Sequence, residues 1–300
     1  MSRMKSLGAG LAAAAGPLPT GGSIAAGTGS ISQNGNSLTI HQTSNKLAID
    51  WQGFSIGRDN TVNFVQPGTR AVALNRVLGS DVSLIQGALK ANGQVFLINP
   101  NGVLFSPTAQ VDVGSLVAST RDLSTSDFLA GRYVLDGAGS NAVINQGRIT
   151  AAGDAGQGGT VALIAARVSN EGSVNAPAGN VLLAAGKRVT LDLGGPLKLQ
   201  VEQGALDALV SNGGAIVADG GFIYLTARAA DQLTTATVNN TGLVRARSLA
   251  TGERGEIRLI GDLAHGTLNA GGTLDASAPQ GGDGGFIETS AAHVKVAHDL

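Results

Sequence analysis

The chain contains no cysteine, so neither a disulfide framework nor a thiolate metal site organises it. Aromatic residues make up 3% and charged residues 14% of its 300 positions, against roughly 25% charged in an ordinary globular domain. The formal net charge is −1 and the 20 basic residues are dispersed. Nucleic acid as a partner is thereby excluded, because displacing phosphate counterions takes a concentrated basic face. No apolar run reaches the roughly 18 residues of a membrane-spanning helix. What the chain does have is glycine, 45 residues of it, and 43% hydrophobic residues. That sets it apart from disordered sequences, which combine low hydrophobicity with high net charge. A chain rich in Gly, Ala, Val, Leu, Asn and Thr suits thin, stacked β-structure with many tight turns.

Residues 1–16 join Arg3 and Lys5 to a small-residue apolar run and read as a leader or signal-peptide remnant, with Ala13 to Ala15 a cleavage region. The competing reading is an unstructured extension. From about residue 20 to 140, short segments of alternating polarity, such as Ser37-Leu38-Thr39-Ile40-His41 and Thr61-Val62-Asn63-Phe64-Val65, are divided by turn signals. Those signals are Asn34-Gly35, Gln66-Pro67-Gly68, Asn92-Gly93 and Asn99-Pro100-Asn101-Gly102. A short helix is expected near Val77 to Leu89.

Beyond residue 140 the sequence repeats itself. An element Asn-x-Gly-x-aliphatic-x-Ala begins at Asn145, Asn170, Asn212 and Asn240, with a looser copy at Asn269. A second element, glycine followed by alternating aliphatics, begins at Gly159, Gly179, Gly221 and Gly255. The first recurs at intervals of 25, 42, 28 and 29 residues. The long interval reads as two coils of about 21 residues, with Val189-Leu191-Leu193 and Leu197-Leu199-Val201 as the additional strands. A period of 20–30 residues built from short strands is a solenoid signature. The expected fold is all-β: a right-handed parallel β-helix, a single-stranded solenoid with an N-terminal cap over residues 20–50 and short antiparallel additions.

Side-chain parity gives the reason. In Gly255-Glu256-Ile257-Arg258-Leu259 the aliphatics point one way and the charges the other. One coil cannot bury its own aliphatic row, whereas coils stacked about 4.8 Å apart bury it in columns. Asn145, Asn170, Asn212 and Asn240 share the inward parity, so they form an internal ladder of amides, as stacked Asn do in cross-β assemblies. The alternative is that these Asn serve turns of positive φ.

Residues 18 to 120 closely resemble the two-partner-secretion domain of filamentous-haemagglutinin-like adhesins. The resemblance rests on ordered motifs: Leu18-Pro19-Thr20-Gly21-Gly22, Trp51-Gln52-Gly53-Phe54-Ser55-Ile56-Gly57, Val62-Asn63-Phe64-Val65-Gln66-Pro67, Ala71-Val72-Ala73-Leu74-Asn75-Arg76-Val77, and the run from Ala91 to Phe105. The shorter Asn-Pro-Asn-Leu motif of some members is absent, which leaves the subgroup open. The resemblance implies a secretion domain over 17–140 followed by a β-helical stem over 141–300; with strand-like Val294-Lys295-Val296 and no cap before Leu300, the stem reads as truncated. It also implies passage through the general secretory machinery to the periplasm of a Gram-negative bacterium. Export would then follow through an outer-membrane β-barrel transporter whose periplasmic recognition domains bind the unfolded chain. The product would be a secreted or cell-surface adhesin acting on host-surface glycans or proteins, with no cofactor. Asn99, Pro100, Asn101 and Gly102 have turn chemistry, and the resemblance makes them the candidate transporter-recognition motif.

Parallel β-helices also include polysaccharide lyases and hydrolases, so an enzyme is the rival class. Acid–base glycoside cleavage needs two carboxylates about 5–10 Å apart, and Asp112, Asp122, Asp127, Asp136 and Asp154 are scattered among turns. His41, His265, His293 and His298 lack metal-ligand spacing. Neither a catalytic set nor a metal site is assigned. Trp51, Phe54, Phe64, Phe96 and Phe105 are expected in the core or at its end.

Overall fold

Short aliphatic strands broken by glycine turns can bury their inward row only against copies of themselves. The computed structural model of the protein, which describes residues 18–154, 158–192 and 199–297, has that arrangement. Three sheets run its length. The first, of ten strands, includes Gln94–Ile98, Ser115–Ser119, Thr160–Ala165, Asn180–Ala185 and Phe222–Ala227. The second, of eight, includes Val103–Phe105, Ala142–Asn145, Arg167–Asn170, Ala208–Asn212 and Ala236–Asn240. The third, of ten, includes Gln110–Val113, Arg148–Ala151, Ser173–Asn175 and Ala215–Val217. The chain visits second, third and first sheet in turn, and each strand pairs in parallel with its counterpart one coil on. Val143 lies beside Val168, Ile149 beside Val174 and Leu163 beside Leu183. This is the expected parallel β-helix, and its sheets pass residue 140 without a break.

The first end is closed by antiparallel pairs, Ser23–Ala26 on Lys46–Trp51 and Gly29–Asn34 on Ser37–Gln42. Capping an exposed strand edge in this way prevents its pairing with another chain. Trp51 and Phe54 pack edge-on at 5.5 Å and are buried there, with Phe64 and Phe105 in the same core.

Two glycine columns let the coils approach. A Cβ on Gly159, Gly179 or Gly221 would overlap the carbonyl oxygen of Gly114, Gly159 or Gly179, respectively, in the preceding coil. Gly172, Gly214 and Gly242 stand in the same relation to Gly147, Gly172 and Gly214. Both repeat elements therefore carry glycine where backbone meets backbone.

Two expectations are corrected. Residues 77–89 form no helix: Val72–Val77, Ser83–Ile85 and Ala88–Ala91 are strands, because Gly79, Ser80 and Asp81 turn the chain between them. The helix of the described residues is Thr125–Ala130, N-capped by the Ser124 hydroxyl and ended by Gly131 at φ 76°. The 42-residue interval is one coil, since Arg167–Asn170 pairs directly with Ala208–Asn212. Its surplus, Arg188–Leu191 and Leu199–Gln203, folds outward as antiparallel strands beside Tyr133–Asp136; Leu193 and Leu197 lie outside the described residues. The cause is the first sheet, whose strands Thr160–Ala165 and Asn180–Ala185 are apolar on both faces. Their outer residues Ala162, Ile164, Leu182 and Ala184 form a second core with Phe96, Phe128, Leu135, Val189, Leu191 and Leu199. Asn269, in the looser copy with its additional residue, lies off the asparagine row. It aligns with outward Asn239, and Ala270 takes the place above Asn240.

Candidate functional site

The asparagine row lies inside the second sheet. Asn145, Asn170, Asn212 and Asn240 are all fully buried and occupy one register position. Asn145 Nδ2 donates to Asn170 Oδ1 at 2.7 Å, Asn170 to Asn212 at 2.8 Å and Asn212 to Asn240 at 2.7 Å. At one end Asn145 Oδ1 accepts from the Gly147 N–H at 3.1 Å, and Phe105 occupies the position below. At the other, Asn240 Nδ2 donates to Gly271 O at 2.6 Å. Each interior amide thus has both a donor and an acceptor partner, which removes the desolvation cost of an orphaned buried polar atom.

Residues 99–102 lie where the first sheet hands over to the second. Gly102 N donates to Asn99 O at 3.0 Å, closing the turn, and Gly102 has φ 121°. Asn99 is fully buried. Its Oδ1 accepts from Asn101 N at 2.9 Å, and its Nδ2 donates to Asp81 O and Ser83 Oγ, both at 2.9 Å. Asn101 Nδ2 donates to Gly79 O at 2.8 Å, and Pro100 O accepts from Asn141 Nδ2 at 2.8 Å. In the folded domain the motif therefore fastens the 79–83 turn beneath it and the next coil above. Pro100 alone of the four is exposed.

Of the five scattered carboxylates the fold sets Asp122 opposite Asp136, their backbones bonded at 2.9 and 3.0 Å, while Asp122 Oδ1 accepts from Leu123 N at 2.9 Å. Asp136 is held by Arg188 at 3.0 Å and Asp127 by Arg132 at 2.6 Å. Asp127 is kept below the usual carboxylate range by the Ser124 hydroxyl and then by Arg132. Asp112 faces outward from the third sheet, and Asp154 lines a surface groove of about 840 Å³ with Ser115, Thr160, Asn180 and Phe222. His41, His265 and His293 are exposed, and His298 lies outside the described residues. Among the described residues no group of three or more His, Asp or Glu could hold a metal ion.

Some buried polar groups gave no signal in the sequence. Gln66 Nε2 donates to Gln42 Oε1 at 3.0 Å, and Gly93 N donates to Gln66 Oε1 at 2.9 Å, within a segment read only as a turn. Arg121 is wholly buried between Thr120 and Asp122. The helix, by contrast, was announced by Ser124-x-x-Asp127 and Gly131, a capping pattern.

A capped solenoid with an internal amide row and arginine-held surface acids defines a structural scaffold that presents surface. Comparison with known proteins makes this specific. The model of the TPS secretion domain family matches residues 13–276, and the chain belongs to that family of two-partner-secretion domains. It is 36% identical over 225 residues to a haem/haemopexin-binding protein of Haemophilus influenzae, strain Rd, covering 73% of the chain and 25% of that relative's length. Another Haemophilus influenzae haem/haemopexin-binding protein is 51% identical over 86 residues, 29% of the chain and 9% of the relative. Among solved structures, the HMW1 secretion domain from Haemophilus influenzae superposes with a TM-score of 0.72 at 26% identity, over 86% of this chain and 73% of that one. The protein is thus a two-partner secretion domain over most of its length, and it spans about a quarter of the length of its haem/haemopexin-binding relative.

Proposed function

We propose that periplasmic recognition domains of an outer-membrane transporter read Asn99, Pro100, Asn101 and Gly102 while the chain is unfolded. The burial of Asn99 carries this reading: once the domain folds, that amide is sealed and committed to Asp81 and Ser83. Unpaired strands of the unfolded segment add to a sheet edge of the transporter, as β-augmentation does elsewhere. Folding outside the cell then biases the movement, because each new coil stacks on its predecessor and resists sliding back. No Gly-x-x-x-x-Gly-Lys-Ser/Thr nucleotide loop exists in the chain to drive it. The protein passes through the periplasm, is displayed on or released from the cell surface, and has no catalytic activity. Recognition of host-surface glycans or proteins belongs to the whole protein, of which this chain spans a quarter in its haem/haemopexin-binding relative.

The test is binding of isolated transporter periplasmic domains to denatured residues 16–140, with and without Asn99→Ala and Asn101→Ala. Binding of the unchanged segment and at least tenfold weaker binding of the double variant are expected. Equal binding of both would overturn the role of the motif, and no binding at all would overturn recognition of the unfolded chain.

A further inference from the structure

A groove of about 840 Å³ follows the corner at which the third sheet hands over to the first. Six consecutive strands of the first sheet each open on a residue that lines it: Gln94, Ser115, Thr160, Asn180, Phe222 and Glu256. Glycine precedes each of the six, so the corner beside the row is floored by backbone. Parallel register places Gln94 beside Ser115, Thr160 beside Asn180, Asn180 beside Phe222 and Phe222 beside Glu256. Thr160 N donates to Ser115 Oγ at 2.9 Å and joins the two halves of the row. Five steps of about 4.8 Å make it roughly 24 Å long.

The backbone of this row offers no free strand edge. Asn180 N donates to Gly159 O, Phe222 N to Gly179 O and Glu256 N to Gly221 O, each at 2.9 Å. A peptide therefore finds no ladder to extend, and recognition falls to side chains. Charges in the lining balance, Arg70 and Arg254 against Asp154 and Glu256. Arg254 is also paired with Asp283 and Glu256 with Arg258. That balance favours an uncharged ligand. Asn180 Nδ2 donates to Thr160 Oγ1 at 3.2 Å, and its Oδ1 remains to accept from a ligand's hydroxyl. Phe222 is half-exposed, its ring stacked on Tyr224 with centroids 5.9 Å apart. Hydroxyls at the rim of a sugar ring suit the amide, and the C–H groups of its face suit the aromatic ring. The coil spacing is close to the length of one sugar in an extended chain, so successive sugars meet successive coils.

We propose that this groove binds an uncharged, extended polysaccharide, one sugar stacking on Phe222 and its neighbour hydrogen-bonding Asn180. The site belongs to the folded solenoid and is independent of how a transporter reads the unfolded chain. The glycan comes either from an animal cell surface or from a bacterial envelope. Isothermal titration of the whole chain separates these sources, with an N-acetyllactosamine hexasaccharide, chitohexaose, the disaccharide of each and a heparin hexasaccharide as probes. A neutral hexasaccharide should bind with a Kd below about 1 mM, about tenfold tighter than its own disaccharide. Binding of the N-acetyllactosamine chain assigns an animal-type glycan, and binding of chitohexaose a bacterial one. Phe222→Leu should weaken binding about fivefold. Should that variant fail to fold, Asn180→Ala replaces it with the same expected loss. The proposal is overturned by any of four results: no binding of either neutral hexasaccharide, no gain from length, tighter binding of heparin, or unchanged affinity in the folded variant.

Discussion

Asn170 is the residue in which the asparagine row is most exposed to test, because it both accepts from Asn145 and donates to Asn212. Asn170→Ala takes the donor from Asn212 Oδ1, leaves Asn145 Nδ2 only its longer bond to Ser173 O at 3.4 Å, opens a small cavity, and should cost about 3 kcal/mol. Asn239→Ala, on the outward side of the strand that carries Asn240, should cost no more than about 0.5 kcal/mol. Denaturant unfolding compares the two, and equal losses would show that the row contributes nothing through its amides. Asp262 offers a second test at this scale. Burial pushes its carboxyl up, but the N–H groups of His265, Ala264 and Ala229 outweigh burial and hold it below the ordinary value. A depressed folded pKa means stability that is complete above the unfolded value of about 3.9 and is lost as pH falls through the folded one. Amide exchange at Ala264 and His265 should therefore accelerate below about pH 4, and Asp262→Asn should remove that acid step.

Strands and turns depend on backbone approach as much as on side chains. Gly179→Ala places a methyl group on the Gly159 carbonyl, so the coils must part or the strand Asn180–Ala185 must shift. A loss of about 3 kcal/mol or failure to fold is expected, in the range of severe overpacking. Gly68→Ala, whose Cβ would meet nothing within 4 Å, should be neutral by the same measurement. At this scale the sequence was informative but ambiguous. Alternation identified the strands of the second and third sheets, because one face is solvated and parity is visible. After Gly159 and Gly179 the aliphatics read as alternating are joined by apolar residues at every intervening position of Val161–Ala166 and Val181–Ala185, and that continuity is the sign of a strand buried on both faces. Reading Val189 and Leu199 as one more coil failed because a strand covering the outside of a sheet and a strand continuing it have similar composition. The helix went unplaced for a related reason: six residues are too few to show a period, although their caps were present.

Across the whole molecule, each coil rests only on its neighbours, so stability should vary along the axis rather than be shared evenly. The central strands Thr160–Ala165 and Asn180–Ala185 are buried on both faces, whereas every residue of His293–Val296 is exposed. Hydrogen exchange should be slowest in the former and fastest in the latter, with a graded increase between Phe222 and Val296. Uniform protection would mean that the solenoid opens as one unit.

The repeat period, the parity of its aliphatics and the glycines at fixed offsets were sufficient to specify a stacked solenoid, since each is a nearest-neighbour property written into every copy. Which residues would lie outside that stack was settled only by folding. The cover sheet joins Tyr133–Asp136 to strands more than fifty positions later, Arg121 meets the carbonyl of Gly186, and Asn269 turns outward because one additional residue shifts its parity. Contacts of that kind depend on which surfaces remain uncovered once the coils have stacked, and no local pattern encodes them.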